Sequence, residues 1–424
     1  MKRYDSYKDS GVKWLGEIPS HWGMRKMKFS FDEKSDKGYP ALPLLAATQN
    51  HGVIKKDDYE NRTVEATKSL DSLKKVEEGD FVISLRSFQG GIELSYCRGI
   101  ISPAYTVLHP THIKGCYFKY LGKSPIFIQL LKSMVTGIRE GQNIDYAKLR
   151  ENQLPIPSLK EQDAIASYLD VATSRIDKAI AQQQKMIDLL NERKQIIINN
   201  AVTKGLNPNA PMKDSGIDWI GSINKDWQVY KLKYLIKGSL MYGANESAES
   251  DNELYPRYIR ITDIDENGNL RPDTFRSLPP EKAKDYLLTK GDVLFARSGA
   301  TAGKTYLFNE EIEACFAGYL IKATPSCKIL PEYLCYFTRS GIYDNWKNSI
   351  FIQATIPNIG AEKYGNLQIP LPSINEQKDI IRYLDNRIGD LTKLIDGYNN
   401  QINLLQERKQ IIINDVVTGK VKVV

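Results

Sequence analysis

Two stretches of the 424-residue chain carry apolar residues at a seven-residue period. In the first, Leu169, Ile176, Leu190 and Ile197 lie seven or fourteen apart, with Ala172, Ala179 and Met186 at the intervening positions; the second has Leu384, Leu391, Tyr398, Leu405 and Ile412. A stripe of this period is one face of a long helix. Each run opens after a proline on the pattern Ser-x-x-Glu, Ser158 to Glu161 and Ser373 to Glu376. In that pattern the serine oxygen caps an amide of the first turn and the glutamate reaches back to the serine amide. Gly205 and Gly419 stand where the runs stop, as a left-handed C-terminal cap requires. Roughly 40 residues at about 1.5 Å each predict helices on the order of 60 Å long. An apolar stripe of that length needs a partner, and each run is expected to find it in the other, as an antiparallel coiled coil.

The remaining sequence alternates strand-like runs, "DFVISL" (80–85) and "DVLFA" (292–296), with helical ones, "SPIFIQLLKSMV" (124–135) and "PEYLCYFTRS" (331–340). The alternation repeats because the chain is a tandem duplication. "QLPIPSLKEQ" (153–162) returns as "QIPLPSINEQ" (368–377), "ERKQIIINNAVT" (192–203) as "ERKQIIINDVVT" (407–418), and "KDSGVKWLGEIPSHW" (8–22) as "KDSGIDWIGSINKDW" (213–227). The expected architecture is α/β (α+β): a globular domain over 1–156, a helix over 157–205, a second globular domain over 206–371 and a second helix over 372–424, with a pseudo-two-fold internal repeat.

Composition adds limits. At 42% apolar and 26% charged residues the chain has the makings of a folded globular protein. The net charge of +7 is compatible with nucleic acid without requiring it. No run reaches the roughly eighteen apolar residues of a membrane span, and the amino terminus has no signal-peptide core, so a cytoplasmic location without membrane contact is expected. Five cysteines with no C-x-x-C pair read as reduced thiols. His109, His112 and Cys116 lack a fourth ligand, and no metal site is expected.

The stretch "ARSGATAGKT" (296–305) approaches a phosphate-binding loop but has three residues between Gly299 and Gly303, where that loop needs four. Its counterpart "GDFVISLRSFQGG" (79–91) lacks Gly-Lys-Thr altogether and shares only Arg-Ser, Arg86-Ser87 answering Arg297-Ser298. Methyltransferase, dinucleotide-fold and nuclease motifs are also missing: "SLPPEK" (277–282) lacks the flanking polar and aromatic residues, and no Glu-x-Lys follows Pro272-Asp273. No catalytic residue is expected. The competing readings are an NTPase with a phosphate loop and a coiled-coil scaffold for protein interactions.

Shared scaffold with divergent loops describes two modules doing one task on different targets. The "LPIPSLKEQ" and "IPLPSINEQ" boundaries, the "ERKQIII" helix ends, the "SGVKWLGEIPSHW" opening and "GDVLFARSGATAGKT" together resemble the DNA specificity subunits of type I restriction–modification systems, over essentially the whole chain. The resemblance implies two target recognition domains, each reading one half of an asymmetric bipartite sequence in double-stranded DNA. It also implies helices that dock two methyltransferase subunits, and restriction subunits in the full complex. S-adenosylmethionine, ATP and magnesium would belong to those partner subunits, whose assembly would be the adenine-N6 methyltransferase and ATP-dependent endonuclease; this chain would hold no cofactor.

Base recognition favours Arg for guanine, Asn and Gln for adenine, and Ser or Thr for base or phosphate. By that chemistry the candidates are Thr48, Gln49, Asn50, Arg86, Ser87, Gln89, Gln142 and Asn143 in the first domain. In the second they are Thr262, Asp263, Arg297, Ser298, Thr301, Lys304, Gln353, Thr355 and Asn358, with Lys304 expected on a phosphate. The repeated Glu192-Arg193-Lys194 and Glu407-Arg408-Lys409 are the docking candidates. If the helices act as a ruler, inserting one heptad into both lengthens the unread spacer of the target and leaves both half-sites intact. Mapping the methylated sequence checks this, and an unchanged spacer would sink it.

Overall fold

A computed structural model describes residues 2–59, 70–136, 143–265, 268–351 and 357–423. The chain mixes helix and strand and divides into two compact units, 1–184 with 399–424, and 185–398. Two helices dominate it, Leu159–Thr203 and Ile374–Val417. Both begin on the Ser-x-x-Glu box: Glu161 Oε2 accepts from the Ser158 amide at 3.1 Å and Glu376 Oε2 from the Ser373 amide at 3.1 Å. Gly205 and Gly419 follow their ends at φ of 78° and 76°, where any side chain is strained. Among the described residues no helix is long and apolar enough to cross a membrane.

In the first unit, an antiparallel sheet takes the order Phe31–Lys34, Thr106–Pro110, Phe81–Ile83, Glu93–Leu94. A second ladder pairs Gly23–Lys26 with Gln153–Ile156, the strand that feeds the helix. The tight turn before the central strand is set by Asp80, fully buried, whose carboxylate accepts from the Glu77 amide and pairs with His109 Nδ1 at 2.7 Å. His109 is thereby accounted for as a structural partner. The core of Trp22, Phe81, Tyr117, Phe118 and Phe127 includes Ile165 and Leu169 from the start of one long helix and Ile413, Val416 and Val417 from the end of the other. Within this unit the helical segments run antiparallel, since Gln183 bonds Gln401 at 3.0 Å and Asp177 holds Lys409 at 2.7 Å.

The second unit repeats the plan. Its sheet runs Met241–Tyr242, Leu320–Ala323, Val293–Ala296, Thr305–Leu307, with Gln228–Lys231 pairing Gln368–Leu371. Asp292 repeats the turn, accepting from the Thr289 amide at 2.8 Å. Trp227, Phe295, Tyr333, Tyr343 and Tyr364 form the core with Ile198, Ala201 and Val202 from one helix and Ile380 and Leu384 from the other. Lys194 reaches Thr392 at 3.3 Å in this unit, again with numbers that rise on one helix and fall on the other.

The phase of the stripe differs in one respect from the sequence reading. Met186 is 40% exposed while Ile187 is buried, and Thr173 rather than Ala172 is buried. The intervening positions lie four residues after Leu169, Ile176 and Gln183, not three. Ala and Met made the other face look apolar, but the buried face accepts Thr173, which bonds the Leu169 carbonyl at 2.7 Å, and Gln183.

A tyrosine hydroxyl closes each junction. Tyr117 donates to the Val417 carbonyl at 3.0 Å with the Pro155 carbonyl at 3.3 Å, and Tyr333 sits 2.9 Å from the Pro370 carbonyl and 3.4 Å from that of Val202. Val202 and Val417 lie in the last turns, whose carbonyls have no partner within the helix. Tyr117→Phe removes the hydroxyl that the Val417 carbonyl accepts from, so a loss of about 1–3 kcal/mol is expected. Thermal unfolding of the variant beside wild type measures it.

Candidate nucleic-acid interface

Each central strand empties into a loop that carries Arg-Ser, directly after Ala296 in the second unit and after Ser84-Leu85 in the first. In the second unit this loop is fixed from behind: Tyr364 donates to the Ala296 carbonyl at 2.6 Å and Tyr343 to that of Gly303 at 2.8 Å. Its amides are spent internally, Gly303 on Ala296, Lys304 on Thr301, Ala302 on Gly299 and Gly299 on Pro357. A phosphate cradle needs free amides converging on one point, and this loop offers none of these four. The NTPase reading is not supported.

Arg297 behaves differently. Its guanidinium lies 5.1 Å from the ring centroid of Tyr242, its Nε is buried without a hydrogen-bond partner, and no described residue accepts from the rest of the fork. The main chain on both sides is pinned, the Arg297 amide on the Tyr319 carbonyl and its carbonyl by the Ile359 amide. A cation held over an aromatic face, with its donors unspent, is available to a planar acceptor pair. Ser298 bridges to Asn358, which is exposed, and Thr301 lies in the same loop. These four candidates come together.

Thr262 is exposed beside them on the chain segment that Lys304 touches. Asp263 faces inward, 1% exposed, with both carboxylate oxygens taken by Arg260. Gln353 and Thr355 lie outside the described residues.

In the first unit Arg86 is exposed and no described residue pairs with its guanidinium. Gln49 donates to Gln89 at 3.4 Å, so these two side chains meet, and Asn50 is exposed next to them. Thr48 is buried, tying its own turn through the Gly52 carbonyl and the His51 amide. Ser87 is buried as well, accepting from the Ser84 amide at 2.9 Å. Asn143 is exposed on a short strand opposite Thr136, apart from the Gln49–Gln89 pair in sequence and in the contacts it makes. Gln142 lies outside the described residues.

Sequence reasoning passed over the aromatics. Tyr242 stacks under Arg297, and Tyr319 and Tyr96 are largely exposed beside the two loops. The signal available was Tyr242-Gly243, since a side chain at 243 would press within 2.4 Å of the Phe316 and Ala317 carbonyls. On the long helices, Glu192, Arg193, Glu407 and Arg408 are exposed, while Lys194 and Lys409 are engaged with Thr392 and Asp177. Leu189 and Ile196 in the second unit, and Leu404 and Ile411 in the first, are all about half exposed or more and stand at the same repeat positions.

These features are a repeated scaffold of mixed helix and strand that carries loops of differing sequence. Residues 224–404 match the family model for the type I restriction modification DNA specificity domain. The MjaX specificity subunit of Methanocaldococcus jannaschii, named as a putative type I restriction enzyme subunit, is 24% identical over 98% of this chain and 98% of its own. The MjaVIII specificity subunit of the same organism is 26% identical over 70% of this chain and 69% of its own, and the EcoBI specificity subunit of Escherichia coli 26% over 60% and 54%. A chain from a structure on complex assembly and conformational transition of the type I R-M system shares the fold, with a TM-score of 0.70 at 15% identity over 94% of this chain and 98% of its own. The chain is similar to specificity subunits of type I restriction–modification systems, the family model matching residues 224–404.

Lys304 has a use inside its own unit, with Nζ 3.3 Å from the Asp265 carbonyl and 3.5 Å from that of Ile264. Lys304→Ala is therefore expected to lower thermal stability and leave the salt dependence of DNA binding unchanged. A slope smaller by about one would mean that the ammonium leaves these carbonyls for a phosphate.

Proposed function

We propose that each unit reads one half of an asymmetric bipartite sequence in double-stranded DNA, the chain itself performing no chemistry. The observation that carries the reading is an Arg-Ser pair in the loop after the same strand of a repeated scaffold, one place further along in the first unit, with both arginine forks unspent on described residues and with different neighbours, Gln49 and Gln89 in one unit and Tyr242 and Asn358 in the other. Arginine pairs bidentately with guanine O6 and N7, and a pair that is stacked and immobilised loses little entropy on binding. Different neighbours imply different half-sites.

The long helices serve in this reading as the spacer, an antiparallel coiled coil, and as the docking face for two methyltransferase subunits. What supports docking is the repeat of exposed apolar positions: Leu189 and Ile196 match Leu404 and Ile411, flanked by the charged Glu192-Arg193 and Glu407-Arg408. Identical patches of apolar centre and charged rim fit two copies of one partner. Adenine methylation and ATP-driven cleavage then belong to partner subunits and to their S-adenosylmethionine, ATP and magnesium.

Co-expression with matching methyltransferase subunits, followed by sequencing of methylated adenines, tests the reading, and one bipartite motif is the expected result. Arg297→Ala in the same assay is expected to relax one half-site only, at a cost of about 1–3 kcal/mol. Equal loss at both halves contradicts separate reading by the two units.

A further inference from the structure

The first unit contains an open cavity of about 760 Å³ whose rim carries Gln49, Asn50 and Gln89 and whose floor carries Glu93. Glu93 is 2% exposed on the strand that ends the central sheet. Its Oε2 lies 2.6 Å from Lys123 Nζ as an ion pair, without the alignment of a hydrogen bond, and no described residue donates to it. The same ammonium donates to the Gln49 carbonyl at 2.8 Å. One buried ion pair is thus tied directly to the main chain of a recognition loop.

The packing leaves this loop little choice. A side chain at Gly90 would come within 2.8 Å of Gln49 Cγ, and one at Gly91 within 2.4 Å of the Gly122 carbonyl. The loops around 49, 90 and 122 are therefore interlocked, and Lys123 is the polar bolt. We propose that Glu93 and Lys123 are positioning residues for the first recognition loop: their buried pair sets where Gln49 and Gln89 stand, and so how sharply the first unit discriminates its half-site. The proposal rests on the DNA-reading assignment above.

The second unit supplies an internal control. Pairing of Phe81 with Leu94 and Val82 with Glu93 corresponds to pairing of Val293 with Leu307 and Leu294 with Tyr306. The position of Glu93 is thus taken by Tyr306, buried and neutral at working pH. Burial pushes the Glu93 carboxyl up to about 7 against the opposing pull of Lys123. Below that midpoint Glu93 is neutral and Lys123 loses its counter-charge; above it the pair is complete. The other charged or titratable groups around the cavity are Lys119, Lys132, Lys409, His51, Tyr96 and Tyr120.

The test uses the full chain assembled with its methyltransferase subunits and three duplexes: the mapped target, and the target with either half scrambled. Binding is measured from about pH 6 to about pH 8, the span across the Glu93 transition. The wild-type preference for the intact target over one scrambled duplex is expected to fall on the order of tenfold towards the acid end, the cost of one lost contact, and the other preference to stay flat. Glu93→Gln should hold the first preference low and pH-independent. Lys123→Arg should retain it and Lys123→Met lose it, which keeps the test decisive if Glu93→Gln fails to fold. His51→Gln should leave the profile in place. Flat wild-type preferences at both halves, or an equal loss at both halves in the variants, would overturn the proposal. A wild-type chain with no preference for any intact target overturns the DNA-reading assignment itself.

Discussion

The burial of two tyrosine hydroxyls against the ends of long helices is the constraint on which the rest of the structure depends. A helix of 45 residues with a narrow apolar stripe cannot stabilise itself. Each unit meets the need by closing around the first turns of one helix and the last turns of the other. Trp22 reaches Glu161 of the first capping box at 3.3 Å while Tyr117 reaches Val417; Trp227 and Glu376, 3.4 Å apart, repeat the grip with Tyr333 and Val202. Either core is completed by a globular portion together with parts of both long helices. Folding of each unit is therefore coupled to the presence of both helices.

That coupling explains which parts of the structure were legible in the sequence. Capping boxes, terminal glycines and the duplication are local or self-referential, and they were readable from Ser158, Ser373, Gly205 and Gly419 alone. The buried phase of the stripe was not, because Thr173 and Gln183 are polar by composition and are accepted only once Leu169 and Gln401 offer them hydrogen bonds. Side-chain chemistry likewise named Arg297 and Gln49 but could not separate them from Thr48, Ser87 and Asp263. Those three carry the same chemistry and spend it on neighbouring main chain or on Arg260. Whether a donor is free depends on geometry that no spacing encodes.

Besides the sheets and the Asp80 and Asp292 turns, the contacts that repeat between the units gather on the long helices, and the differences lie away from them. Tyr120 with Asp170 and Tyr336 with Asp385, the glutamine pair Gln162 and Gln377 that bonds the carbonyls of Pro157 and Pro372, and the tryptophan and tyrosine grips all involve the long helices. Among the described residues the hairpin of Leu45–Thr48 with Gly52–Lys55 and the Glu93–Lys123 pair belong to the first unit, and Arg297 over the Tyr242 ring to the second; the parallel pairing of Arg257–Ile259 with Ala314–Phe316 is reduced in the first unit to a bridge between Leu44 and Ile100.

A surface that must meet the same partner twice is held to the same geometry twice, whereas surfaces meeting different partners are free to diverge. On that physical ground the helices and their grips fit a partner present in two copies, and the loops fit two unlike targets. In the proposed reading, the buried pair under Gln49 and the arginine over Tyr242 are two solutions to one requirement, that a side chain reading a base edge be held still before the base arrives. The first solution uses an ion pair whose carboxyl titrates near neutrality; the second uses an aromatic face and does not. Fixing a recognition loop by charge makes its precision a function of pH, and fixing it by stacking does not, so the two halves of one target need not be read with equal fidelity under the same conditions.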